Sequence, residues 1–196
     1  MKAQSKDNEL VFLPLGGSNE VGMNFNAYGY GPPEARRWLI VDVGVTFGGL
    51  EHPGVEVIVP DPEYIADFAD DIEAIILTHA HEDHIGAIGW LWPRLKAPVY
   101  ATPFTAELAR HKLEERGLAK ALKITEIPQR HRFRAGPFEL ELVSITHSIP
   151  EMNGLVIRTP LGVVFHTGDW KLDSEPLVGD VTDEARIREL GDEGVL

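Results

Sequence analysis

Leu77-Thr78-His79-Ala80-His81-Glu82-Asp83-His84 closes an apolar run over residues 72–77 and places three imidazoles and the Asp83 carboxylate within six consecutive residues. On an extended backbone, side chains two apart point the same way, so His79 and His81 share a face. Asp83 and His84 follow where the chain turns into its next element, and they approach from another direction. Neutral imidazoles and carboxylates suit a divalent metal of the zinc type, and ligands drawn from one short loop are easily ordered together. A half-buried strand end rarely gathers four strongly hydrated groups with nothing to satisfy them. The stretch is therefore read as a metal loop rather than a histidine-rich surface loop.

Working outward, residues 10–15 read as a first strand, ended by Gly16-Gly17. Residues 16–24 form a glycine-bearing loop without the Gly-Lys-Ser/Thr ending of a nucleotide P-loop. Residues 25–30 are a second strand and 29–34 a Gly/Pro turn. The buried strand 38–44 runs into Asp42, which is either a turn-former or a group bracing a nearby site. Residues 48–62 are a Pro/Gly-rich connection, and 62–70 a short helix with Tyr64, Ile65 and Phe68 on one face.

After the metal loop, residues 85–92 read as an apolar helix stopped by Pro93, 99–101 as a strand, and 103–116 as an amphipathic helix closed by Gly117. Residues 122–127 and 138–145 are strands, with the basic run Arg130-His131-Arg132-Phe133-Arg134 between them. Residues 156–159 and 163–166 make a hairpin around Pro160-Leu161-Gly162. An acidic tail region is helical near 183–190, and residues 194–196 read as the start of a further strand. Strands alternate with helices, which predicts a layered α/β or α+β domain over residues 10–196, after a polar, disordered tail over residues 1–9.

The 196 residues suffice for one domain with a sizeable core, and 43% hydrophobic with 25% charged residues is ordinary globular composition. Cysteine is absent, so disulfides are excluded and any zinc must be held by His, Asp or Glu. The N-terminus lacks a signal-peptide core, and no run approaches the ~20 apolar residues of a membrane span. The expectation is a cytoplasmic protein without a membrane partner. A net charge of −13 argues against wholesale coating of nucleic acid. From Glu107 to Arg134, however, eight Lys/Arg stand against four Glu, a local excess of +4.

Two other strand ends echo the opening stretch: Ser144-Ile145-Thr146-His147-Ser148 and Phe165-His166-Thr167-Gly168-Asp169. Alone, a histidine at a strand end is most often an ordinary satisfied residue. Three such ends in one chain converge along one sheet edge. The inventory then suffices for two Zn2+ ions. His79, His81 and His147 hold the first, Asp83 and His84 the second, and Asp169 bridges. Two metals ~3.5–4 Å apart suit hydroxide attack with stabilisation of both attacking and leaving oxygens. Asp83, His84 and Asp169 are the candidate catalytic residues, with His166 and Asp42 as braces behind them.

His79-Ala80-His81-Glu82-Asp83-His84, with His147 and Asp169 downstream, resembles the metallo-β-lactamase superfamily. That resemblance implies an αββα sandwich, incomplete in this chain, with a dinuclear site at one edge. Gly16-Gly17-Ser18-Asn19-Glu20-Val21-Gly22 is similar to the opening of the β-CASP RNA nucleases. Thr146-His147-Ser148-Ile149-Pro150 and His166-Thr167-Gly168-Asp169-Trp170-Lys171-Leu172-Asp173 resemble their ribonuclease J family.

The resemblance implies zinc-dependent hydrolysis of RNA phosphodiesters, by 5′-to-3′ exonuclease and endonuclease action on 5′-monophosphorylated RNA, with the full-length protein a homo-oligomer. It also implies β-CASP and C-terminal domains, and a later histidine as seventh ligand, none of them present here. His166 and His52 have no motif support for that seventh role. The Arg130–Arg134 run is a candidate guide for the RNA backbone. Two alternatives remain, a thioesterase or lactonase of the same superfamily and a catalytically incomplete metal-binding fragment.

Overall fold

The computed structural model describes residues 8–196. Residues 1–7 of the expected tail lie outside the described residues, and Glu9 already belongs to the first strand, β1 (Glu9–Gly16). In chain order there follow β2 (Phe25–Gly31), β3 (Arg37–Val41), β4 (Thr46–Phe47), β5 (Val57–Ile58), α1 (Glu63–Ala66), β6 (Ile72–Ile76), α2 (Glu82–Ile85) and α3 (Ile88–Leu95). The second half adds β7 (Val99–Ala101), α4 (Pro103–Glu115), β8 (Ile124–Glu126), β9 (Arg132–Ala135), β10 (Phe138–Ser144), β11 (Asn153–Thr159), β12 (Gly162–His166) and α5 (Glu184–Glu193).

Six strands form one sheet in the order β1-β2-β3-β6-β7-β8, and four form another in the order β12-β11-β10-β9. In the first sheet β3, β6, β7 and β8 run parallel. Parallel strands are covered on both faces and read as near-continuous apolar runs, which is why 38–41 and 72–76 carry so little polarity. One face supplies Leu39, Val41, Ala74 and Ile76 to a core shared with Phe138, Leu140, Leu142, Leu155 and Ile157 of the second sheet. The other face, through Ile40, Ile75 and Leu77, packs on Ile65, Ile88, Leu91, Leu95, Ala109 and Leu113 of the helices. Val143 and Val156, on the outer face of the second sheet, meet Ile187 and Leu190 of α5. Helix, sheet, sheet and helix are thus stacked as the αββα sandwich expected from the sequence. Each fully buried Leu or Ile contributes about 1.5–3 kcal/mol relative to an exposed one, so the strand ends leave a firm core.

Three expectations need correction. Pro93 does not stop its helix, because it sits inside α3, which continues to Leu95. The proline forfeits only its own amide bond, while Lys96 N–H still closes on the Trp92 carbonyl at 2.7 Å and Trp92 Nε1 donates to the Ala97 carbonyl. The helix over 62–70 shrinks to the single turn α1 and a 3₁₀ turn over Ala69–Asp71. Ile65 is fully buried but Tyr64 is 53% exposed, so one anchor holds one turn.

Residues 194–196 do not begin a further strand, although Leu196 N–H donates to the Val163 carbonyl at 2.8 Å. The basic run between the expected strands is largely the edge strand β9, paired antiparallel with β10. Register sets Arg134 opposite Glu139 and Arg132 opposite Glu141, and both pairs are ion-paired, at 2.8 and 3.2 Å. Arg130 lies 3.7 Å from Asp183. The alternation Arg-x-Arg matches Glu-x-Glu across the ladder, so these charges are met from within the fold.

Candidate metal centre

β3 and β6 are parallel neighbours, so Asp42 and the loop 77–84 leave the first sheet at the same edge. β10 and β12 flank β11 and run the same way in the second sheet. Their ends deliver His147 and Asp169 against that loop. All six residues expected from the sequence come together in two overlapping groups: His79, His81, His147 and Asp169, and Asp83, His84 and Asp169. Within each group the donor atoms lie within 4.8 Å of one another. α2 begins directly after His81, and this turn brings Asp83 and His84 in from another side, with the His84 ring centroid 4.0 Å from that of His79.

In the first group His81 Nδ1 stands 3.1 Å from His79 Nε2 and 3.1 Å from His147 Nε2. One nitrogen facing two others cannot satisfy both with a single proton. A tetrahedral ion with metal–nitrogen bonds of 2.0–2.1 Å needs ligand atoms about 3.3 Å apart, close to the spacing found. The donor set therefore fits a divalent metal. Asp169 completes the group, with Oδ2 3.6 Å from His147 Nε2 and Oδ1 3.4 Å from His84 Nε2. Its two oxygens face the two groups separately, so this one carboxylate could serve both.

Asp42 organises both sides from beneath. It is fully buried, in a left-handed conformation (φ 65°) that aspartate tolerates better than most residues. Its carboxylate accepts from the Thr78 amide (2.8 Å), the Thr78 hydroxyl (2.9 Å) and His84 Nδ1 (2.7 Å). With the Thr78 hydroxyl committed to Asp42, His79 Nδ1–H donates to Thr78 Oγ1 at 3.0 Å. In both imidazoles Nδ1 is thus engaged from behind, and Nε2 is the nitrogen turned toward the metal donors.

The electrostatics follow. Burial, with the nearby His84 charge second, pushes His79 down to about 3 and favours its neutral form. Burial works against a charge on His84 too, but Asp42, Asp169 and Asp83 outweigh it and hold the imidazole up at about 10. The hydrogen bond to His84 holds the Asp169 carboxyl down at about 2. Burial, with His81 second, lowers His147.

The glycine-rich loop 16–24 has a positional role that the sequence left open. Gly17 is left-handed (φ 82°), and the fold-back places Asn24 Nδ2 3.1 Å from His84 Nε2. Residues 43–45 lie along the loop at 82–84, with Val43 N–H donating to the His84 carbonyl and Gly44 N–H to the Asn24 carbonyl. A side chain on Gly44 would run into the Asp83 carbonyl, which is why only glycine fits there. Thr78 and Asn24 were missed by sequence reading. Their roles depend on aim, which no spacing rule supplies.

A polar cleft of about 290 Å³ opens beside His84 and Asp169, lined also by Asn24, Tyr28 and His166. His166 Nδ1 lies 2.9 Å from the Tyr28 hydroxyl. His52 lies apart, in the exposed 48–56 loop, with Nδ1 3.5 Å from Glu51.

The match to a family model described as the Beta-lactamase superfamily domain covers residues 37–186. The chain belongs to that family. Among curated proteins it is similar to the ribonuclease J of Sinorhizobium meliloti, 53% identical over 192 residues, which cover 98% of this chain and 34% of that protein. The ribonuclease J of Thermus thermophilus is 39% identical, with 96% of this chain and 34% of that protein covered. The chain thus spans about a third of the length of these relatives. Among solved structures, the metallo-β-lactamase fold protein YhfI from Bacillus subtilis superposes with a TM-score of 0.54 at 19% identity, covering 86% of this chain and 65% of that one. That likeness is one of fold. No helix among the described residues is long and apolar enough to cross a membrane.

Proposed function

We propose that residues 10–196 are the metal-binding part of a zinc-dependent ribonuclease of the ribonuclease J type, a larger protein that also has β-CASP and C-terminal domains. The observation that carries the metal reading is the meeting of three imidazole nitrogens at 3.1 Å. What supports the RNA reading is the likeness to ribonuclease J over nearly the whole chain. The substrate is 5′-monophosphorylated RNA, cut by exonuclease and endonuclease action. A cytoplasmic location and a homo-oligomeric full-length protein belong to the same reading.

His79, His81 and His147 would hold one ion, Asp83 and His84 a second, with Asp169 facing both. Zinc supplies a Lewis acid and, at neutral pH, a water acidified from 15.7 to about 7. The chain's own residues do the positioning. Asp42 fixes the orientation of the His84 ring and, through Thr78, of the His79 ring. Asp169 stays anionic across the neutral range. Asp83, His84 and Asp169 surround the side on which a phosphodiester would be attacked.

The test is turnover of a 5′-monophosphorylated RNA, with a thioester as comparison, by the chain with and without added zinc. Zinc-dependent RNA cleavage that His81→Ala abolishes, with the circular dichroism spectrum kept, is the expected result. Thioester cleavage alone would refute the nuclease reading. Wild-type cleavage by His81→Ala would refute the ligand assignment. Zinc bound without any turnover would favour an incomplete fragment.

A further inference from the structure

His147 lies in the loop between β10 and β11, and Asp169 lies just past β12. These two residues are 22 positions apart, yet both must be held to one place. Thr146, directly before His147, is buried. Its amide donates to Thr182 Oγ1 at 2.9 Å, and its own hydroxyl oxygen accepts from the Thr182 amide at 2.8 Å. The two hydroxyl oxygens lie 3.1 Å apart, and Thr146 Oγ1 also lies 3.3 Å from the Asp180 carbonyl. The Thr146 carbonyl accepts from the Lys171 amide at 3.2 Å, two residues past Asp169. One step back, the Ser144 carbonyl accepts from the Asp183 amide, the N-cap of α5. The segment 171–183 is therefore laced to the His147 loop at both ends.

We infer that Thr146 and Thr182 form a reciprocal clasp that positions His147 and Asp169 together for metal binding. The inference rests on the metal reading proposed above. A threonine pair suits the task, because each hydroxyl can donate and accept at once and each amide is met by the partner's hydroxyl. The χ1 stiffness of threonine limits how far the clasp can drift. Neither residue contacts a metal donor, so both act through the residues they hold. Groups that orient metal ligands from behind are typically worth about 10–100-fold in affinity.

The test is zinc affinity of the full chain, by competition with a chromophoric chelator, together with the thermal midpoint of the metal-free protein. Thr182→Val keeps the shape and removes the hydroxyl. It is expected to weaken zinc binding about tenfold, beyond what any fall in the metal-free midpoint accounts for, and Thr182→Ser is expected to restore affinity. The double variant Thr146→Val/Thr182→Val should lose scarcely more than the worse single one, since the pair acts as a unit. Unchanged affinity in Thr182→Val overturns the clasp. So does a loss that tracks a fall of the metal-free midpoint and that Thr182→Ser does not rescue. A wild-type chain that binds no zinc overturns the metal reading instead, which keeps the two failures distinct.

Discussion

The loop carrying His79, His81, Asp83 and His84 leaves β6 in the middle of a six-stranded sheet, whereas His147 and Asp169 ride on loops from the four-stranded sheet. The first wall is fixed from beneath, and two of its imidazoles are buried. His79 and His84 are at most 1% exposed, Asp42 accepts three hydrogen bonds, and residues 43–45 bond along the turn. The second wall is more open. The His147 side chain is 18% and that of Asp169 40% exposed, and their loops are held by the threonine clasp and by ion pairs under α5. Glu141 of β10 is central to those pairs, bonded by Arg158 at 2.9 Å and by Arg186 at 2.7 Å. One wall is held by hydrogen bonds to a fully buried carboxylate, the other in part by ion pairs that respond to pH.

Substitutions should separate the walls by size of effect. Asp42→Ala strikes the first wall and is expected to cost the most, about 3–5 kcal/mol in denaturant unfolding of the metal-free chain, because it leaves a buried imidazole and a buried amide without their acceptor. A loss below about 1 kcal/mol would show that the first wall does not depend on its buried carboxylate.

Acid should loosen the second wall next. Burial works against the charge of Glu141, but Arg186 and Arg158 hold its carboxyl down at about 2, against an ordinary 4.5. Its folded value lies below its unfolded one, so its stabilisation is fully present above pH 4.5 and is lost as pH falls toward 2. Between pH 5 and 3 the loss is roughly 1–2 kcal/mol from this group. Glu141→Gln should flatten that part of the stability–pH curve. An unchanged slope in the variant would remove Glu141 as the acid-sensitive link. The smallest effect is expected at the surface. Arg134→Gln breaks an exposed pair with Glu139 and should change stability by no more than about 0.5 kcal/mol. A larger loss would mean that the β9 edge holds more of the second sheet than its exposure suggests.

Much of this site was legible in the residues. The period-2 spacing of His79 and His81 aims them together, and the turn into α2 brings Asp83 and His84 in from another direction, so one loop declares its chemistry. His147 and Asp169 were legible only as strand ends that could converge. The apolar runs marked β3 and β6 as buried strands, because a strand covered on both faces has no polar side to show. Less was readable where the outcome depended on a distant partner. Pro93 looked like a stop because its own missing amide is visible in sequence, while the Trp92–Ala97 and Lys96–Trp92 bonds that carry the helix past it are not. Arg130–Arg134 looked like free positive charge because Glu139 and Glu141 face it only through the β9–β10 register.

The sequence by itself determined which groups are present, which of them share a loop, and that no thiol takes part. Tertiary structure alone decided that Asp42 lies under His84, that Asn24 reaches the same imidazole, and that Thr182 grips the residue before His147. Those are contacts between segments 36 to 60 positions apart in the chain. Hydrogen bonds act over about 3 Å, and no local pattern records which distant atoms the packing of two sheets will bring within that reach.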